Sequence, residues 1–186
     1  MNNRPKCIIV TGPGGSGKTT LSKKLSQRLW MPVISRDEIK EGYVNTFGLS
    51  HDQLPADTNR IVSTFFFEAV NQYLANKVSI IIEAAFQHTI WKSRMAQISE
   101  NGSPFFVVCS IAPEIAAKRH LQRGLDDPNR EFYHGDKRVT IFKETGAITA
   151  PDDYLAPELD LPTIHVSTEG EYAPGLDEIV EQIGST

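Results

Sequence analysis

The stretch Gly12-Pro13-Gly14-Gly15-Ser16-Gly17-Lys18-Thr19 fits the pattern G-x-x-x-x-G-K-[ST] at every position. It lies between the apolar run Cys7-Ile8-Ile9-Val10 and a segment of helical periodicity over residues 20–29. A buried strand feeding a glycine-rich loop that opens a helix is the context this pattern requires. In such a loop successive backbone N–H groups curl around phosphate oxygens, in conformations that a side chain obstructs. The helix start adds free amides and the positive end of its dipole. On this reading Gly12, Gly14, Gly15, Ser16, Gly17, Lys18, Thr19 and Thr20 surround the phosphates of a nucleotide. Lys18 then reaches the β- and γ-phosphates, and the Thr19 hydroxyl ligates Mg²⁺. The plain alternative, a glycine-rich turn with no ligand, does not account for all the matched residues in this context.

After the loop, Leu21, Leu25 and Leu29 recur at four-residue spacing, giving one helix face to pack on a sheet. Residues 31–34 predict a short second strand, and Ser35-Arg36-Asp37-Glu38 reads as a capping box with Ser35 as cap. Asp37 therefore stands at the carboxyl end of a strand, the edge where open α/β sheets bind ligands. From local sequence it is equally an acidic residue stabilising a first helical turn.

A loop over 49–55 precedes a long helix over 57–76, whose stripes Ile61, Phe65, Ala69 and Val62, Phe66, Val70, Leu74 make a broad apolar face. The third strand, 78–82, ends in Glu83, an acidic residue placed for a direct or an outer role toward Mg²⁺. A helix over 89–99 packs through Trp91, Met95 and Ile98, with Arg94 off that stripe and Gly102 as its stop. His88, in the loop before it, is either a substrate contact or a solvated side chain. The fourth strand spans 105–111, and the βαβα alternation implies a parallel sheet.

Arg119 and Arg123 share a face of the next helix, and Arg130 follows a turn over Gly124-Leu125-Asp126-Asp127-Pro128. Guanidinium groups so spaced either close over phosphates as a lid or form a solvated basic helix end. A helix is expected at about 136–145, stopped by Gly146; a surface connection over 150–162 leads to a strand at 163–167 and a helix over 174–183.

The chain of 186 residues suits one domain, and its formal charge of -4 gives no general reason to expect nucleic-acid or membrane binding, while leaving room for a local basic cleft. No apolar run reaches membrane-spanning length, so a cytoplasmic location is expected. The two cysteines, Cys7 and Cys109, fall in expected buried strands and read as small apolar fillers rather than a disulfide or metal pair.

Taken together, GPGGSGKTT, SRDEIKEG, VSIIIEAAF, KRHLQRG and HVSTEGEYAPGLDEIV resemble, over nearly the whole chain, the small P-loop kinases. The resemblance is to the branch related to polynucleotide 5′-kinases, zeta-toxin-like kinases and chloramphenicol phosphotransferase. It implies a nucleoside-monophosphate-kinase-like three-layer α/β/α fold, with a five-stranded parallel sheet and a small helical lid at about 119–138 in one domain over 1–186. It implies ATP and Mg²⁺ as cofactors and an ATP-dependent phosphotransferase acting on a hydroxyl of a small-molecule acceptor.

Carried over residue by residue, Asp37 matches the aspartate that orients or deprotonates the acceptor hydroxyl. Lys18 and Thr19 match the phosphate and Mg²⁺ ligands, and Arg123 matches the lid arginine near the transferred phosphoryl group. Arg119 matches a position near adenine or the phosphates. The loop from Ser167 to Tyr172, with Thr168, matches the adenine edge. Glu83 departs from the family, where many relatives have Asp, and its longer side chain changes its reach to the metal. The acceptor is expected between Asp37, the helix starting near Asp57 and the segment from His88 to Arg94. There Arg36, Arg60 and Arg94 are placed either to hold an anionic acceptor or as solvated surface residues. A polynucleotide 5′-hydroxyl kinase is the runner-up, followed by a zeta-toxin-like or nucleotide-dependent binding module with slow ATP hydrolysis.

Overall fold

The computed structural model describes residues 4–185. Five parallel strands form one sheet in the order β2-β3-β1-β4-β5. They are β1 (Lys6–Thr11), β2 (Val33–Ser35), β3 (Ile80–Glu83), β4 (Ser103–Ser110) and β5 (Thr163–Ser167). The central strands are covered on both faces and so read as unbroken apolar runs, with alternate residues entering two separate cores. On one face Cys7, Ile9, Ile80, Ile82, Phe106 and Val108 meet α3 (Thr58–Ala75) and α4 (His88–Asn101) through Phe66, Val70, Leu74, Trp91 and Ile98. On the other Ile8, Val10, Ile81, Val107 and Val166 meet α1 (Lys18–Leu29) and α8 (Leu176–Ser185) through Leu21, Leu25, Ile179 and Ile183. The three-layer α/β/α architecture expected from the sequence is the one observed, and both cysteines are buried and free.

Order 2-3-1-4-5 means that the chain leaves β1 toward one side of the sheet and later returns to the other. The carboxyl ends of the strands therefore open on a common edge at that reversal. From this edge emerge the glycine loop after β1, α2 (Arg36–Phe47) after β2, and α5 (Pro113–Asp126) after β4. Two short helices follow α5: α6 (Arg130–His134) and α7 (Arg138–Thr145).

Two local expectations are corrected and a third is refined. The segment read as a turn from Gly124 is helical through Asp126, because Gly124 is buried where the chain crosses Val139. A Cβ at Gly124 would lie 2.6 Å from Val139 Cγ2. Ser35 does occupy the cap position of α2, but it makes no side-chain capping bond. Its hydroxyl donates instead to Glu83 Oε2 at 2.8 Å. The third is a refinement only: 49–55 is a connection as expected, and it contains a 3-10 turn, His51–Gln53, closed by Ser50 and Gln53. Among the described residues no helix is long and apolar enough to cross a membrane.

Candidate active site

Gly17 caps α1 in the left-handed region, at φ 75°, and no side chain caps the helix, so its first amides face the loop. The opposite wall is α5: a Cβ on Gly15 would lie 2.4 Å from the Ala116 carbonyl oxygen, and one on Gly14 would lie 2.9 Å from His120 Cε1. The loop can lie this close to α5 because glycine lacks that atom. Ser16 is fully buried and its hydroxyl has no partner among the described residues. Lys18 Nζ donates to the Pro13 carbonyl at 3.2 Å and stands 3.9 Å from Glu83 Oε1. Uncapped amides, an orphaned hydroxyl and a lysine folded over its own loop are the features a polyphosphate would complete.

Glu83 lies at the end of β3, almost wholly buried. Its Oε2 accepts from Ser35 Oγ at 2.8 Å and from Thr19 Oγ1 at 3.4 Å. Burial pushes its carboxyl up; Lys18 and these hydroxyl donors oppose the rise without cancelling it. Thr19 and Glu83, both anticipated for Mg²⁺, are thus adjacent, and a hydroxyl beside a carboxylate is a donor set suited to that hard cation.

Asp37 lies in the first turn of α2, with its side chain half-exposed into the same cleft. Burial alone would raise its carboxyl, but the charges of His134, Arg36 and Lys18 outweigh that effect and hold it below the usual carboxylate range. Asp37 is therefore an ionised acceptor at neutral pH. Glycine loop, Lys18, Thr19, Glu83 and Asp37 all line one cavity of about 820 Å³. Its outer walls are α3, through Asn59, Arg60 and Ser63, and α4, through Ile90 and Arg94.

A second cavity, about 590 Å³, begins at Gly15, Gly17 and Thr20 and runs between Arg119 and the loop after β5. Arg119 donates to the carbonyls of Thr168 and Glu169, both at 2.8 Å. The buried Thr168 hydroxyl bonds the Ser16 carbonyl at 2.7 Å, tying that loop to the glycine loop. Arg123 lines both cavities, standing between them.

Some of the arrangement was not anticipated. Asp136 is a hub, 3.1 Å from Arg138, 3.9 Å from Arg130 and 3.5 Å from His120. Burial, aided by Arg138 and Arg130, pushes His120 down to about 4, so it is neutral at physiological pH and its contact with Asp136 is not an ion pair. Tyr154 lines the larger cavity and contacts Thr11 Oγ1 at 2.8 Å. The Thr11 hydroxyl donates its one hydrogen to the Ala84 carbonyl and accepts from Trp91 Nε1, so Tyr154 must donate to it. His88 is not in the cavity; its Nδ1 accepts from the Glu158 amide at 3.1 Å. No short motif signals Asp136 or Tyr154, because His120 and Thr11, which they meet in the folded chain, are distant in sequence.

Strand order, glycine loop and the acidic residues at the ends of β2 and β3 together define the fold of the small P-loop kinases. The chain belongs to the AAA domain family, whose model matches residues 7–138. Among solved structures it is similar to a candidate kinase from Chloroflexus aurantiacus j-10-fl, with TM-score 0.79, 22% identity and 98% of each chain covered. It is also similar to a gluconokinase from Sinorhizobium meliloti 1021, with TM-score 0.60, 16% identity, 97% of this chain and 93% of that one covered. Mycobacterium tuberculosis APS kinase, in complex with AMPPNP and APS, gives TM-score 0.60 at 16% identity over 98% of this chain and 96% of that one. No curated protein matches the chain.

Proposed function

We propose that the protein is an ATP-dependent phosphotransferase that moves the γ-phosphoryl group to a hydroxyl of a small molecule. The observation that carries this reading is the shared cavity, in which an ionised aspartate faces a phosphate-binding loop, its lysine and a hydroxyl-carboxylate pair. Under this reading the adenine lies between Arg119 and the loop from Ser167 to Tyr172, and the phosphates pass Thr20 and Gly17 into the larger cavity. Lys18 and the first amides of α1 hold the β- and γ-phosphates. Thr19 and Glu83 would hold Mg²⁺, which when bound neutralises charge on the phosphate oxygens.

Asp37 orients the acceptor hydroxyl and takes its proton as the oxygen bonds to phosphorus. The bond from phosphorus to the β-phosphate oxygen breaks and ADP leaves. The low basicity of Asp37 is adequate, because a loose transition state demands little deprotonation of the nucleophile before attack. Arg123, with Arg130 and Arg138 braced by Asp136, supplies positive charge where the phosphoryl group passes, and residues 119–138 act as the lid. A cytoplasmic setting, where ATP is supplied, completes the reading.

Purified protein incubated with labelled ATP·Mg²⁺, hydroxyl metabolites and 5′-hydroxyl oligonucleotides tests it. Transfer to a small acceptor is expected; transfer to the oligonucleotides alone would make the polynucleotide reading the correct one. ATP·Mg²⁺ should raise the melting temperature, and Lys18→Ala should remove most of that rise. An unchanged rise in this variant would contradict the role given to Lys18.

A further inference from the structure

We propose that the acceptor carries an oxyanion as well as its hydroxyl, and that Arg36 and Lys40, beside Asp37 on α2, form the site that holds it. The inference rests on the kinase reading above and names its substrate class. Lys40 is only 4% exposed, yet it has no ion-pair partner among the described residues. Of the three hydrogens on its ammonium, one contact is made, a 3.5 Å approach to the His134 carbonyl oxygen. A buried cation ordinarily comes with a carboxylate, because desolvation without one is costly.

Arg36 stands one turn earlier on the same face, an arrangement in which like charges repel. Its two terminal nitrogens are engaged, one by Asn59 Oδ1 at 2.8 Å and the other in an ion pair with Asp37 at 3.3 Å, while its Nε is buried with no partner among the described residues. An unpaired ammonium and an open guanidinium N–H thus face one cavity, and an oxyanion would satisfy both. Burial, with Arg36 adding to it, lowers Lys40 to about 8 against the opposing charges of Asp37 and Asp52, which leaves the ammonium mostly charged at neutral pH.

The cavity as a whole has the matching sign. Eight Lys and Arg side chains line it against five carboxylates, in a chain of formal charge -4. Lys18 and Arg123 are engaged by the nucleotide in the reading above; Arg36 and Lys40 are not. Across the cavity the Arg94 guanidinium is held 4.9 Å above the Phe67 ring, with no carboxylate partner among the described residues, adding positive potential at the far wall. Asp37 and Lys40 are three residues apart, about 4.5 Å along the helix axis. A hydroxyl at Asp37 and an anion at Lys40 therefore belong to one small molecule.

The test fills the nucleotide site with the non-hydrolysable analogue AMP-PNP and Mg²⁺, confirmed by its melting shift, and then titrates inorganic phosphate and, separately, glycerate. The two arms distinguish a phosphate from a carboxylate. Saturable binding of at least one anion is expected, weakened about tenfold or more in Lys40→Met, the scale of a lost charge-assisted hydrogen bond. Arg36→Gln, an independent variant should Lys40→Met melt early, should weaken it to a similar degree. Lys92→Ala, which removes an exposed lysine on α4, should leave binding unchanged. If AMP-PNP binds but neither anion does, or if both variants bind the anion like the parent, the anion site is wrong while the kinase reading stands. If AMP-PNP itself fails to bind, the kinase reading is overturned first and the acceptor class with it.

Discussion

At the scale of single residues, the site is organised by charges whose partners are incomplete. Asp37 is kept ionised by surrounding cations, Glu83 is pushed up by burial, and Lys40 is driven down to about 8 from 10.5. For Lys40 the consequence can be measured in the protein without ligands. Its amine faces Arg36 and Asp37 on its own helix, Asp52 on the 3-10 turn, and Arg130 and His134 on α6. Below about pH 8 both folded and unfolded chains carry the ammonium, and folding bears the full cost of burying it. Between about 8 and 10.5 the folded chain binds fewer protons than the unfolded one, so the Lys40 contribution to stability improves as pH rises. The stability of the parent relative to Lys40→Met, from denaturant unfolding at pH 7, 8, 9 and 10, should therefore increase from pH 8 upward. A flat difference would mean that the ammonium is not held at a cost.

Among secondary-structure elements, the connection from α7 to β5 does more than cross the surface. Tyr154 donates to Thr11 at the end of β1, and Thr11 also accepts from the fully buried Trp91. Thr11→Val keeps the shape but leaves the Trp91 N–H and the Tyr154 hydroxyl without their acceptor. A loss of about 1–3 kcal/mol is expected, since a buried donor then goes unsatisfied. Proteolysis near residues 150–158 should accelerate with it; unfolding at the parental midpoint with unchanged proteolysis would show that this bond does not hold the segment.

The same connection marks the boundary of what could be read beforehand. Strands and core helices were legible because their apolar periodicity is local, as the stripe Trp91, Met95, Ile98 shows. Asp37 and Glu83 were legible because strand ends are where an open sheet gathers its ligands. Ser35 was misread because a capping motif specifies only local geometry, and Glu83, 48 positions away, offered the better acceptor. Lys40 and Tyr154 were missed for a related reason: their significance comes from burial and from partners that only the assembled chain supplies.

For the whole molecule, the strand order brings the phosphate loop, the ends of β2 and β3, and the helices after β4 to one edge, and the net-acidic chain places a cation-rich cavity there. On the proposed function this edge transfers a phosphoryl group, with Asp37 handling the acceptor's proton. Asp37→Asn is the decisive variant. The amide keeps the size of the side chain and its place at an exposed helix start, so folding and the melting shift with ATP·Mg²⁺ should change little. Single-turnover transfer to the acceptor found in the metabolite panel excludes product release from the observed rate. The rate should fall by about two to four powers of ten, the usual contribution of a general base. A variant that binds ATP normally and transfers at near the parental rate would contradict that role and leave Asp37 as a residue of the helix's first turn.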